Sequence, residues 1–373
     1  MNNKVLVAMS GGVDSSVAAA LLQRQGYEVS GVTLRLFDNA DVVGLKQKTC
    51  CSLADVQDAR SVALALGFDH HVFNFRERFM QDVMERFTRQ YLEGRTPNPC
   101  IDCNRFIKFS ALLERALLLD HHYIATGHYA RVAYDDASGR YLLKRPFDSA
   151  KDQTYALYCL TQEQLAHTLF PLGELDKPQV RSVARELGLT NAAKPDSQDI
   201  CFVPDGDYGA FIEQHTGTPA TPGDFIDPEG NPIGRHQGVM RYTIGQRKGL
   251  GGFGRPVYVL DKDAAANTVT LGDAPLLFAR RLIAKEVNLI TTPALTAPMR
   301  VTAKTRYRQN DEPATLHPLE DGRLLVEFDS PQRAITPGQA VVFYDGELVV
   351  GGGTIATDKP STKPTAGKDE PHE

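Results

Sequence analysis

Ser10-Gly11-Gly12-Val13-Asp14-Ser15-Ser16 lies between a short apolar run, Val5 to Ala8, and a helical pattern carried by Val17, Ala20 and Leu21. Glycines let a backbone approach an anion closely, serine hydroxyls donate to it, and a helix start presents free N–H groups and the positive end of its dipole. The segment therefore has phosphate-binding chemistry, with Ala8 and Met9 at the strand end and Ser10 through Ser15 around the anion. It is not a Walker A loop, because it has no G-x-x-x-x-G-K-[ST] pattern and no lysine for the outer phosphates. Asp14, the loop's only carboxylate, is a candidate to assist a Mg²⁺-bound phosphate group or to cap the helix. Leu34, on a second alternating segment, could meet a nucleobase. Gly127, in Ala125-Thr126-Gly127-His128-Tyr129, follows a later strand at its C-terminal end, where open α/β sheets bind ligands. His128 reads as a structural hydrogen-bonder.

The cysteines are the second chemical group. Cys100-Ile101-Asp102-Cys103 follows Thr96-Pro97-Asn98-Pro99, a rigid lead into a helix expected to begin near Phe106. A thiol at such an entrance should have its pKa lowered by the helix dipole, with Arg105 and Lys108 adding positive field. Cys201 lies nearly a hundred residues on, within Asp196-Ser197-Gln198-Asp199-Ile200-Cys201-Phe202. Cys50-Cys51 and Cys159 read as small buried hydrophobes. Structural zinc would want four ligands, and there is one C-x-x-C pair. A dithiol oxidoreductase would want a thioredoxin-like chain. An iron–sulfur cluster on Cys100, Cys103 and Cys201, with one open iron site, is a minority alternative. The remaining reading is sulfur transfer. Adenylation would turn a carbonyl oxygen into a leaving group, a persulfide on one cysteine would bring sulfur, and a second cysteine would release that sulfur, leaving a disulfide for an outside reductant to reopen.

With 41 basic and 46 acidic side chains, the net charge of −5 excludes a chain that grips nucleic acid by bulk charge. Local faces are still open to it. Arg235, Arg241, Arg247, Lys248 and Arg255 form one run without acids, and Arg300, Lys304, Arg306 and Arg308 another, with Tyr307 interleaved. As a strand, residues 304 to 308 would put Lys304, Arg306 and Arg308 on one face and Tyr307 on the other.

These residues need elements to hold them. Alternating strand and helix patterns up to about residue 205 predict an α/β, doubly wound parallel-sheet catalytic domain. The stripe Phe79, Val83, Phe87 and Tyr91 marks one of its helices. Residues 206–279, rich in Gly and Pro, read as a small irregular linker domain. Residues 280–357 carry short alternating runs with Asp321-Gly322 and Asp345-Gly346 at hairpin positions, predicting an antiparallel β-barrel. The tail 358–373 has almost nothing to bury and is expected to be disordered. No stretch approaches a membrane span, no secretory segment is evident, and six cysteines in 373 residues make no disulfide framework. The expected location is cytoplasmic.

The heptapeptide resembles the loop of the PP-loop ATP pyrophosphatases. That resemblance implies ATP cleaved between its α- and β-phosphates, Mg²⁺ accompanying it, and an adenylated substrate. The segments SGGVDSS, GRTPNPCIDCNRFIKF, ATGHYAR, KDQTYAL, KPDSQDICF, YTIGQRKGLG and KTRYRQ, spanning about 300 residues in one order, resemble the bacterial tRNA-specific 2-thiouridylases. For this chain the resemblance implies thiolation of position 2 of a wobble uridine, with tRNA as partner and a cysteine desulfurase or relay protein as sulfur donor. By position it makes Cys103 the nucleophile and Cys201 the persulfide carrier. Asn98, Pro99 and Cys100 would face the target base. Lys151, Asp152 and Gln153 would touch the tRNA, as would Arg306 and Tyr307 from the barrel. Some members carry aspartate, proposed there as an acid/base, where Cys100 stands.

Overall fold

The computed structural model describes residues 2–38, 53–194 and 200–358. Cys50-Cys51 and nearly all of the tail expected to be disordered lie outside the described residues.

A parallel sheet of order β3-β2-β1-β4-β7 forms the base, from Lys4–Ala8 (β1), Glu28–Arg35 (β2), His70–Asn74 (β3), Tyr123–Ala125 (β4) and Thr168–Leu169 (β7). Its central strand is apolar on both sides. Leu6 joins one core with Val32, Ile124, Phe79 and Phe87, while Val5 and Val7 join another with Val17, Ala18 and Val180. Successive side chains of a strand point to opposite faces, so helices must cover both. Val13–Arg24 (α1) and Leu53–Leu66 (α2) follow the first two strands.

The turns Arg76–Phe79, Met80–Glu85 and Arg86–Leu92 succeed one another as a helical stretch, α3, with a π-type middle section. Phe79, Val83, Phe87 and Tyr91 are all buried on it, as their spacing predicts. The next helical stretch, α4, begins at Pro99, seven residues before Phe106, and runs through Pro99–Asp102, Cys103–Ala111 and Leu112–Leu118. The earlier start follows from its cap. Pro99 is pre-set for the first helical position, and the Asn98 carboxamide oxygen accepts from the Cys100 amide at 3.1 Å. Both cysteines of the C-x-x-C are thus helical. Lys177–Glu186 (α5) opens with a capping box between Asp176 and Gln179.

The Gly- and Pro-rich middle is more regular than its composition suggests. After Tyr208–Thr216 (α6) come Gly223–Ile226 (β8), Pro232–His236 (β9), Tyr258–Asp263 (β10) and Thr268–Gly272 (β11), in the order β10-β11-β8-β9. A closed antiparallel barrel follows: Phe278–Leu289 (β12), Met299–Lys304 (β13), Glu312–Pro318 (β14), Leu324–Arg333 (β15), Ala340–Asp345 (β16) and Leu348–Ile355 (β17). Pairing of β12 with β17 closes it. Gly322 and Gly346 sit at φ +76° and +57° in the turns expected to be hairpins. A hairpin that sequence reading did not single out, Arg131–Asp135 (β5) with Arg140–Lys144 (β6), joins the edge of this sheet through Lys144 opposite Leu348. The barrel is therefore stitched to the parallel-sheet domain. The Thr96 amide donates to the Pro337 carbonyl at 3.0 Å, and Gln339 Nε2 donates to the Thr96 carbonyl at 2.9 Å.

Candidate active site

The C-terminal ends of β1, β2 and β4 open into a cavity of 990 Å³. Gly12 is the N-cap of α1 and no side chain caps that end, so first-turn amides are left for a ligand. The loop's own serines are spent on its shape. The Ser10 amide donates to Ser15 Oγ at 3.2 Å, and the Ser15 and Ser16 hydroxyls donate to the Gly12 carbonyl at 3.1 and 3.0 Å. Ala8, Met9, Ser10, Gly12, Val13, Asp14, Ser15, Leu34 and Gly127 line the cavity; Gly11 does not. Gly11 has φ +71°, and a Cβ there would lie 2.5 Å from the Asp55 carbonyl oxygen. Its glycine lets the loop pack on α2 rather than approach an anion. A Cβ at Gly127 would lie 2.7 Å from the Ser15 amide nitrogen, so that glycine brings β4 against the loop.

Asp14 departs from expectation. Lys177 Nζ holds both its oxygens, at 2.6 and 2.8 Å, and the Tyr129 hydroxyl donates to it at 2.9 Å. It is neither an open metal ligand nor a side-chain cap. Among the described residues no group of three His, Cys, Asp or Glu side chains is arranged to hold a metal. The described residues therefore do not by themselves make a Mg²⁺ cage. The loop fits a nucleotide better: it offers amides, a glycine at its helix start and an apolar side chain, Leu34, on the neighbouring strand.

Cys103 and Cys159 are buried, Cys201 is half-buried and Cys100 is exposed. Cys103 and Cys201 line the same cavity as the loop, and so does Cys100. Folding thus brings together two sulfurs almost a hundred positions apart. Cys103 differs from the sequence expectation in its acidity. It is 7% exposed, and burial pushes its thiol up to about 11, against the smaller opposing field of Lys108. The expected dipole effect fails because Cys103 stands one turn inside α4 in an apolar setting. Beside it, burial raises Asp102 to about 6 despite Arg86 and Arg105. Cys159 is buried, as read, and is also raised to about 11 by burial. Burial, helped by Lys108, lowers His128 well below its ordinary value, and its Nδ1 meets Thr126 Oγ1 at 2.6 Å. Its bond fits the structural role expected of it.

The far wall comes from the segment after β6 and from the loop after β13. Pro99, Lys151, Asp152, Gln153 and Tyr307 line the cavity, but Asn98 does not. Gln153 Oε1 accepts from the Tyr129 amide at 2.8 Å. Tyr307 is 42% exposed and meets Tyr155 edge-on at 6.0 Å between ring centres. Arg306 is spent elsewhere. Its guanidinium donates, at 3.0 Å each, to the Ile244 and Ala334 carbonyls and to Thr336 Oγ1. It ties the barrel to the middle domain and does not line the cavity, contrary to its expected place in an RNA contact. The strand β13 ends at Lys304, so the strand alternation expected for 304 to 308 does not occur.

Runs free of acids in sequence are not free of them in space. Arg235 pairs with Asp224 at 2.7 Å, Arg241 with Glu213 at 2.7 Å, Arg255 with Asp273, and Arg300 with Asp329 at 2.8 Å. The cations that line the cavity are Lys108, Arg145, Lys151, Lys194, Lys304 and Arg308. Lys177, Asn191 and Lys194 were not picked out from the sequence, although Lys194 stands in the KPDSQDICF segment. Asn191 Nδ2 donates to the Gly11 carbonyl at 3.1 Å and to Ser16 Oγ at 2.9 Å. Lys194 Nζ reaches Gly11 O at 3.2 Å, Asp55 at 2.6 Å and Asp58 at 2.8 Å. Asn191 and Lys194 clamp the Gly11–Ser16 loop from behind.

Three family models match the chain: a tRNA methyl transferase HUP domain over residues 3–205, a tRNA methyl transferase PRC-barrel domain over 209–273 and an aminomethyltransferase beta-barrel domain over 279–355. The tRNA-specific 2-thiouridylase MnmA of Acetivibrio thermocellus is 55% identical, the match covering 94% of this chain and 99% of that protein. Its counterpart in Clostridioides difficile is 52% identical over 95% of this chain and 98% of its own length. Among solved structures, an NMN synthetase from Francisella tularensis covers 59% of this chain and 79% of that one at 17% identity, with a TM-score of 0.33.

Proposed function

The chain belongs to the family of tRNA-specific 2-thiouridylases, and we propose that it replaces the position-2 oxygen of a tRNA wobble uridine with sulfur while consuming ATP. One observation carries the reading: a single cavity is lined by the glycine- and serine-rich loop at the start of α1 and by two cysteines, Cys103 and Cys201. The α1 amides and the loop of residues 10–15 would hold the phosphates, with Leu34 and Gly127 bounding the adenosine. ATP would supply an adenylyl group, so that the uracil O2 leaves as part of AMP after pyrophosphate has departed. Cys201, half-buried, would carry the sulfane sulfur. Cys103 would attack the carrying sulfur, forming a Cys103–Cys201 disulfide and freeing the sulfur, as hydrosulfide, to displace AMP from C2. An outside reductant then restores both thiols.

A buried thiol raised to about 11 suits a resting nucleophile that should not react before substrate arrives. Lys108, the cation that most lowers it, is placed to assist its ionisation. The cavity's cations would meet RNA phosphates locally while the molecule stays acidic overall.

The test is direct. Purified protein is incubated with unmodified tRNA, ATP and a persulfide source, and the RNA is digested and its nucleosides analysed by mass. ATP-dependent 2-thiouridine is expected, and Cys103→Ser and Cys201→Ser should each abolish it. Formation of a methylated nucleoside, or thiolation without ATP, would overturn the reading.

A further inference from the structure

Asp152 is a carboxylate where an RNA-binding pocket would be expected to avoid one. Its side chain is 7% exposed, yet it lines the cavity. Oδ1 is used locally, accepting from the Thr154 amide at 2.9 Å and from the Thr154 hydroxyl at 2.5 Å. Oδ2 is buried with no hydrogen-bond partner. Lys304 Nζ stands 3.6 Å from it and Arg145 3.9 Å, close enough to balance charge but beyond a hydrogen bond. A buried acceptor left unmade is costly, and a donor from a bound ligand would offset that cost.

The chemistry of RNA and the neighbours of Asp152 say which donor. Phosphate oxygens are acceptors and anions, so Asp152 would repel them; a base edge or a hydroxyl has to supply the proton. Tyr307 shares the neighbourhood: burial first, then Asp152 and Cys100, raises its phenol. Asp152 is therefore on the side of the cavity where Tyr307 and the start of α4 meet. Uracil presents one N–H on its pairing edge, N3–H, next to the carbonyl that would be thiolated. Cytosine presents a bare N3 acceptor there, which a carboxylate would oppose. Lys304 and Arg145, held over the Tyr344 ring at 5.2 and 4.0 Å, keep two donors beside Asp152, where a uracil carbonyl would need them.

We propose that Asp152 Oδ2 accepts the N3–H of the target uracil and makes the site selective for uracil over cytosine. The proposal rests on the tRNA-uridine reading above and names the atom that recognises the base. Asp152→Asn keeps an oxygen for Thr154 and replaces the other with a donor, which suits cytosine N3.

The full-length protein would be titrated with fluorescent anticodon stem-loops carrying uridine, cytidine or 3-methyluridine at the wobble position. Hydrogen bonds to a charged group predict that wild type binds the uridine loop about 10- to 100-fold tighter than either of the others. In Asp152→Asn the uridine and cytidine affinities should come within about threefold, from the loss of that charged acceptor. An Asp152→Asn protein that keeps the wild-type ratio would overturn the proposal. So would wild type binding 3-methyluridine as tightly as uridine, a result that needs no variant to fold. Those outcomes leave the thiolation reading standing if 2-thiouridine still forms, whereas a wild-type protein that binds none of the three RNAs would overturn both.

Discussion

Cys103 should be a slow nucleophile in the free protein. Its thiol is pushed up to about 11 by burial. At pH 8 a thiol of that acidity is about one part in a thousand thiolate, against about a quarter for an ordinary cysteine of pKa 8.5. Alkylation of Cys103 in the free protein should therefore be about 200-fold slower than for an unperturbed thiol, before any further slowing from restricted access. The rate should rise about tenfold per pH unit from 7 to 10 with no plateau. Timed iodoacetamide labelling, quenched and read by peptide mass analysis, measures this, and the exposed Cys100 in the same samples reports on the reagent. Lys108→Met should shift the whole profile to higher pH, since Lys108 is the main charge favouring the thiolate. A plateau at or below pH 8.5 would refute the argument. It would show that the helix start and Lys108 outweigh burial.

The two loop glycines should separate. Gly11→Ala forces a Cβ to within 2.5 Å of the Asp55 carbonyl at positive φ, and should lower Tm by displacing the loop from α2, a cost of about 1–3 kcal/mol. Gly12→Ala has extended φ, meets only Ser10 Oγ at 3.4 Å, and should leave Tm nearly unchanged while weakening ATP binding by calorimetry. Arg306→Ala removes one hydrogen bond from barrel to middle domain and two within the barrel, and should cost about 2–4 kcal/mol in thermal unfolding, with no change in the salt slope of RNA binding. Asp102, raised to about 6 by burial, resists ionisation in the fold: its stabilising effect is complete below about pH 4 and is lost as pH rises through 6. Asp102→Asn should therefore stabilise the protein at pH 7.5 by up to about 3 kcal/mol and change little at pH 4, which paired melting curves would check.

Much of this site could be read from residue order. The phosphate loop, its flanking strand and helix, and the glycine after β4 are local patterns, and local patterns survive folding. The apolar stripe of α3 and the hairpin glycines Gly322 and Gly346 were legible for the same reason. The start of α4 was missed because the proline and asparagine read as a lead-in are the first helical residue and its cap. The acidity of Cys103 was misjudged because charge neighbours are visible in sequence and desolvation is not. Arg306 looked like an RNA contact among basic neighbours, but its acceptors come from Ile244 and Ala334, far off in sequence. Lys177 and Asp14 are 163 positions apart, and nothing short of the fold pairs them.

If one cavity joins ATP chemistry to Cys103 and Cys201, base thiolation and disulfide formation must be coupled. Protein loaded with persulfide at Cys201 would be mixed with tRNA and ATP in a single turnover without reductant, and sampled for both nucleosides and cysteine-linked peptides. One 2-thiouridine per loaded site should appear at the same rate as a Cys103–Cys201 disulfide, and neither should appear without ATP. Thiolated RNA accumulating while Cys103 stays a free thiol would contradict the account.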